Sequence, residues 1–180
     1  MPFIPNSKLF NLPPMADGPQ IRFDYFLESF PRLDLPFHFT DDSVRTISKE
    51  TAPISPRVIE QYILPLEPGQ ASEMTEFVAC LRLPEADNYA GLVYWRADLA
   101  QYHYTLVTID LKTQELIDRL VVAGTSFDGE ELVQTHAVLT EALLIYQVSG
   151  QGGGQDYDYT AANSTARRFQ IADSGKIVEL

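Results

Sequence analysis

The chain has 180 residues, 45% of them hydrophobic and 21% charged, a size that suits one domain and a composition far from that of a disordered chain. Its 25 acidic side chains stand against 13 basic ones, and a net charge of −12 at pH 7 repels phosphate backbones and anionic membrane faces. Nucleic acid and membrane are therefore not expected partners, and a lone cysteine, Cys80, excludes an intramolecular disulfide.

The opening stretch, MPFIPNSKLFNLPPM, is broken by prolines where a secretory signal needs an unbroken apolar run, and no segment reaches membrane-spanning length. A cytoplasmic location is expected for the chain as given, unless an export segment has been removed. Ten of the twelve prolines fall at or before Pro65, so the first third is the irregular part. Within it, Phe23, Phe26, Leu27 and Phe30 recur at helical spacing, and Pro31 would stop the helix. Ile21, Phe23 and Tyr25 also alternate, which leaves a strand open, but the stripe favours the helix. RLDLPFHFT, residues 32–40, alternates Leu33, Leu35, Phe37 and Phe39 with Asp34, Pro36 and His38, and reads as an extended or edge segment because Pro36 cannot donate to a ladder. Ser55 as N-cap and Pro56 at the first helical position start a second short helix carrying Val58, Ile59, Tyr62 and Ile63, which Pro65 ends. Residues 66–72 read as a linker.

From about Thr75 the pattern changes to strands with short polar breaks: Glu76–Leu83, Tyr89–Arg96, Tyr102–Leu111, Leu116–Ala123, Leu132–Leu139, Leu143–Ser149, Ala166–Ala172 and Lys176–Leu180. The connections are too short for crossover helices, so neighbouring strands should run antiparallel. The expected fold is α+β and mainly β: one domain, with residues 1–72 irregular or helical and 73–180 an antiparallel meander. One or two short N-terminal helices should cover one face of that sheet.

YTLVTIDLKTQELIDRLVVAG, residues 104–124, resembles the outer hairpin of a β-propeller blade. A closed propeller needs several blades, and the chain holds one clear hairpin of this kind with a shorter echo at its end. From FPRLDLPFHF through that hairpin to FQIADSGKIVEL, the chain is similar to small β-rich proteins of Bacteroidota-type bacteria that carry no assigned activity. The resemblance implies a fold and no chemistry.

Each motif that could carry chemistry lacks a part. The glycine run in VSGQGGGQDYDYT, Val148 to Thr160, has no lysine for a phosphate loop and no helix pattern behind it for a dinucleotide fingerprint. It reads as a flexible loop after a strand ending near Ser149, with Asp156 and Asp158 projecting to one side. GTSFDGEE approaches a nucleophile elbow at Ser126, but Asp128 replaces the closing glycine and a strand pattern follows; Asp128 and Gly129 read better as a hairpin turn. His38, His103 and His136 show no metal-ligand spacing, so neither metal nor cofactor is expected. Cys80 sits among apolar neighbours and reads as a buried, unreactive thiol.

The densest feature is YAGLVYWRADLAQYHYT, residues 89–105, where Tyr94, Trp95 and Arg96 enter a turn and Tyr102, His103 and Tyr104 leave it. Paired strands would make these six cross-strand neighbours at one sheet end, which stabilises a sheet with no ligand. Read functionally, they form an aromatic platform for a sugar or planar ligand, or an anchor for a protein partner. Alternation puts Trp95 and Tyr94 on opposite faces, and Trp95 is the one expected to be buried. The absence of a complete catalytic motif points to a binding or protein-interaction domain using a sheet face or edge. The alternatives are a small hydrolase using His103 or His136 with an acid such as Asp98, and a subunit that pairs its edge with a copy of itself.

Overall fold

The computed structural model describes residues 18–127, 131–152 and 164–180. It is mainly β, with nine strands in one antiparallel sheet. Eight follow one another in sequence order: β2 (Glu76–Arg82), β3 (Tyr89–Ala97), β4 (Tyr102–Asp110), β5 (Leu116–Phe127), β6 (Leu132–Leu139), β7 (Leu144–Gly152), β8 (Ser164–Ile171) and β9 (Ile177–Glu179). The ninth, β1 (Phe37–Phe39), is the expected extended segment and pairs with β6. The expected meander and its strands are all present, and β2 and β9 do not meet to close a barrel.

The sheet folds over on itself. In a flat sheet β9 would lie about 19 Å from β5, four strand spacings away. Instead the Lys176 ammonium donates to the carbonyl of Ile117 at 2.8 Å, and the Ile177 amide donates to the Asp118 carboxylate at 3.0 Å. Thr108 Oγ1 donates to the Gly175 carbonyl at 2.7 Å. Gly175 has φ +83°, a left-handed conformation that favours glycine, and a Cβ there would press on the end of the Ile117 side chain at 2.9 Å. The fold begins where β5 and β6 part: only residues 124–127 and 132–135 pair between them. Beyond that point β1 lies along β6 as Phe39 against Ala137 and Phe37 against Leu139. Gln147 of β7 crosses the gap, its side-chain amide donating to the carbonyls of Val121 and Val122 at 2.7 and 2.9 Å. Bulge-displaced carbonyls of β5 thereby gain the partner a ladder would otherwise give them.

Two cores result. One lies inside the fold-over, where Cys80, Val93, Tyr104, Leu106 and Val122 meet Ala137, Leu139, Ile145 and Phe169. The other lies on the opposite side of β2–β4, where Leu92, Tyr94, Val107 and Ile109 pack beneath Phe26, Leu27, Phe30, Val58 and Ile63. Full burial of each large side chain contributes roughly 2 kcal/mol. The helical layer over this second core is the expected one: α1 (Phe23–Glu28), then α3 (Pro56–Val58), which continues as a π turn over Ile59–Ile63 and a 3-10 turn over Leu64–Leu66. Ser55 caps α3, its hydroxyl accepting from the Val58 amide at 3.3 Å.

A further helix, α2 (Ser43–Glu50), packs Val44 and Ile47 into the inner core, so the N-terminal third reaches both sides of the sheet. Its first turn is capped from a distance, the Val44 amide donating to the Tyr104 hydroxyl at 2.7 Å. Among the described residues no helix is long and apolar enough to cross a membrane. Strand β7 runs past Ser149 into the glycines, with Gly150 opposite Gln134 and Gly152 opposite Leu132. Gly153, Gly154, Asp156 and Asp158, and the expected turn at Asp128 and Gly129, lie outside the described residues, as does the proline-broken opening stretch.

Candidate functional site

Register brings the six aromatic, cationic and imidazole residues together at one end of β3 and β4. Trp95 faces Tyr104, Arg96 faces His103, Ala97 faces Tyr102, and Tyr94 faces Thr105. They do not form one platform, because alternation divides them between two sides. Tyr94 and Tyr104 are both 0% exposed, leaving no ring face for a ligand to stack on. Trp95 is half-buried, reversing the expectation that it rather than Tyr94 would be the interior residue. The reason is that helices cover the Tyr94 side while β1 and α2 only partly cover the other. The Trp95 indole N–H is buried with no hydrogen-bond partner among the described residues, and the ring packs 6.2 Å from Tyr102.

On the helix-covered side the side chains converge on Glu67, from the segment read as a linker. Its side chain is 2% exposed; one oxygen takes Arg96 at 2.5 Å, and the other takes Arg119 at 3.3 Å and the Tyr94 hydroxyl. Burial pushes the Glu67 carboxyl up, yet hydrogen bonds from Tyr94 and Arg96 and the charge of Arg119 outweigh it, and the net shift is downward. Burial and then Glu67 push the Tyr94 hydroxyl well up. Arg96 also donates to Asp98 at 3.0 Å and to the Gln70 carbonyl at 2.9 Å. Asp98 accepts from Thr75 at 2.7 Å, and the Arg96 bond is the main cause of its lowered pKa. His103, beside this cluster, is held below the usual histidine range by burial and then by Arg119 and Arg96. The carboxylates are saturated by cations and hydroxyls, so the cluster clamps the 67–75 connection to the sheet.

On the other side Asp41 gathers Tyr102, Gln134 and His136. The Tyr102 hydroxyl and the Gln134 amide donate to its carboxylate, Gln134 at 2.5 Å, and His136 Nε2 stands 3.8 Å from it. This is the nearest approach to the His/acid pair expected of a hydrolase, with Asp41 in place of Asp98. Neither His103 nor His136 lines the groove between α1 and the 51–58 connection, the groove under α2, or the groove on β7–β9. Ser126 lies within β5 opposite Val133, in a strand and not an elbow. No group of three metal-ligating side chains occurs among the described residues. Cys80 is 0% exposed and burial pushes its thiol up to about 12, as its sequence context implied.

A surface missed in the sequence lies on the outer side of the folded-over half. Ile145 and Gln147 point inward, so Tyr146 and Val148 point out, the first opposite Val138 and Arg168 and the second opposite His136 and Ala166. Val178 and Leu180 continue this side onto β9. Tyr146, Val148, Val178 and Leu180 are 43%, 42%, 48% and 59% exposed, and none belongs to either core. Arg168 stands exposed among them, and Ala166 floors a groove of about 400 Å3 between Val148 and Leu180. The legible signal is β7 itself, where Ile145, Tyr146 and Val148 are apolar on both phases of the alternation. The chain matches no family model, no curated protein and no solved structure.

Proposed function

We propose that the protein is a non-enzymatic interaction domain that binds a protein partner through the outer face of β7, β8 and β9. One observation carries this reading. Helices cover the outer side of β2–β4, whereas among the described residues Tyr146, Val148, Val178 and Leu180 share a side of the sheet on which they stay 42–59% exposed and join neither core. Arg168 within the patch favours a partner that presents a carboxylate beside its apolar side chains. A face suits recognition better than an edge here. Strand β2 is bulged around Cys80, and its Arg82 amide donates to the Pro31 carbonyl, both features that oppose strand addition.

The test is affinity capture from the native cell with the intact chain and with a Tyr146→Ser, Leu180→Ser variant, followed by direct binding of the purified captured protein. Loss of at least about tenfold in affinity, with unchanged thermal unfolding, supports the face. Undiminished binding by the variant overturns it. A hydrolase is the second reading, favoured by the 3.8 Å approach of His136 to Asp41. Ester hydrolysis abolished by both His136→Ala and Asp41→Asn would establish it in place of the first. An edge-paired assembly would instead appear as a dimer mass in solution.

A further inference from the structure

We infer a second docking surface at the β3–β4 turn end of the sheet, built from Met74, Leu99 and Phe127 and fitted to a partner with an apolar surface rimmed by lysine or arginine. Among the described residues these are the three most exposed large hydrophobic side chains, at 63%, 84% and 64%. They come from three separate connections. Met74 precedes β2, Leu99 sits in the β3–β4 turn, and Phe127 ends β5. Register brings them to the same end, since Glu76 pairs with Ala97, Ala97 with Tyr102, and His103 with Gly124. Across β2 to β5 the three span about 15 Å, three strand spacings, within the footprint of one interface.

Hydrogen bonds hold the backbones that carry them. The Met74 amide donates to Ser72 Oγ at 3.2 Å and the Ser72 amide to Thr75 Oγ1 at 2.8 Å, while Thr75 Oγ1 donates to Asp98 beside Leu99. The Asp98 amide closes the turn on the Gln101 carbonyl at 2.9 Å, and Tyr102 donates to Thr125 Oγ1 at 3.2 Å, two residues before Phe127. Asp98 is tied through Arg96 to the buried Glu67. A surface anchored this way loses little freedom on binding. The charge around it selects the partner. Exposed Glu73 and Glu76 flank Met74, Arg96 is held by Glu67 and Asp98, Arg119 by Glu67, and the chain as a whole carries −12. An anionic membrane would be repelled, as would a second copy of this acidic end, whereas a basic rim is attracted.

The experiment is a titration of the isotope-labelled full chain, followed by amide NMR, with a synthetic amphipathic leucine/lysine peptide and its leucine/glutamate counterpart. The leucine/lysine peptide is expected to shift residues 72–76, 98–101 and 125–127. Leu99→Ser with Phe127→Ser should weaken it about tenfold, and the glutamate peptide should leave these residues unmoved. Tyr146→Ser should have no effect, which separates this surface from the outer face of β7–β9. Shifts elsewhere, an equal response to the glutamate peptide, or indifference to the variants would overturn the inference. So would the same shifts produced by raising the protein concentration alone or by anionic vesicles, because the occupant would then be a second copy or a lipid surface.

Discussion

Glu67 holds two arginines, Arg96 and Arg119, and the Tyr94 hydroxyl in a site where it is 2% exposed. Replacing it with glutamine leaves cations on a covered face of the sheet without their carboxylate. Glu67→Gln is therefore expected to lower stability by about 3 kcal/mol in urea unfolding, the magnitude for removing one partner of a buried pair. Two depressed groups of this cluster, Glu67 and His103, contribute to the pH dependence beside lowered carboxylates such as Asp98. Glu67 titrates below its ordinary 4.5, so its contribution is whole above that pH and is lost as pH falls through the lowered value. His103 titrates below its ordinary 6.5 because burial, Arg119 and Arg96 oppose the imidazolium, so protonation favours the unfolded chain as pH falls below 6.5. The urea midpoint is expected to decline first below 6.5 and more steeply below 4.5. Glu67→Gln should lessen the lower part of that decline, which other lowered carboxylates such as Asp98 share, and His103→Phe should remove the upper part. None of this was legible in the sequence. Glu67 sits in a stretch with a linker's composition and is separated from its partners by 27, 29 and 52 residues. Tyr94, Arg96, Tyr102 and His103 were legible as neighbours, but not as members of two clusters on opposite sides.

At the scale of elements, strand positions were legible because apolar runs of strand length are separated by polar breaks, several of them hairpin-sized, such as Lys112–Glu115 and Asp173–Gly175. Ser55 and Pro56 likewise marked α3 through a cap that the structure contains. Helix α2 was not legible: SVRTISKE offers only Val44 and Ile47 as an apolar face, and its cap comes from Tyr104, sixty residues away. Its attachment is testable, since Ile47 is 4% exposed in the inner core and Ile47→Ala should cost about 2–4 kcal/mol in thermal or urea unfolding. The parting of β5 from β6 was also hidden, because it depends on bulges and on β1 arriving from far along the chain. Gly124 stands at that junction with φ +138°, where a Cβ would lie 2.2 Å from the Tyr102 carbonyl oxygen. Gly124→Ala is expected to cost at least about 2 kcal/mol and to raise amide exchange at the β4–β5 end.

For the whole molecule, a single meander makes two layers by folding over, and the N-terminal third covers one outer side and fills part of the inner core. Among the described residues, Tyr146, Val148, Val178 and Leu180 stay exposed on the other outer side, on β7–β9, and on that asymmetry the proposed function rests. Alternation in β7 would put its apolar phase, Leu144, Tyr146 and Val148, inward, and the sequence did not show that the fold-over turns Tyr146 and Val148 outward and Gln147 in. The most direct measurement is backbone amide exchange of the purified chain alone and bound to the protein it captures. Protection on binding is expected in β7, β8 and β9 around Tyr146, Val148, Ala166 and Val178. Protection absent there and concentrated instead around Tyr102 and Asp41 would contradict the account.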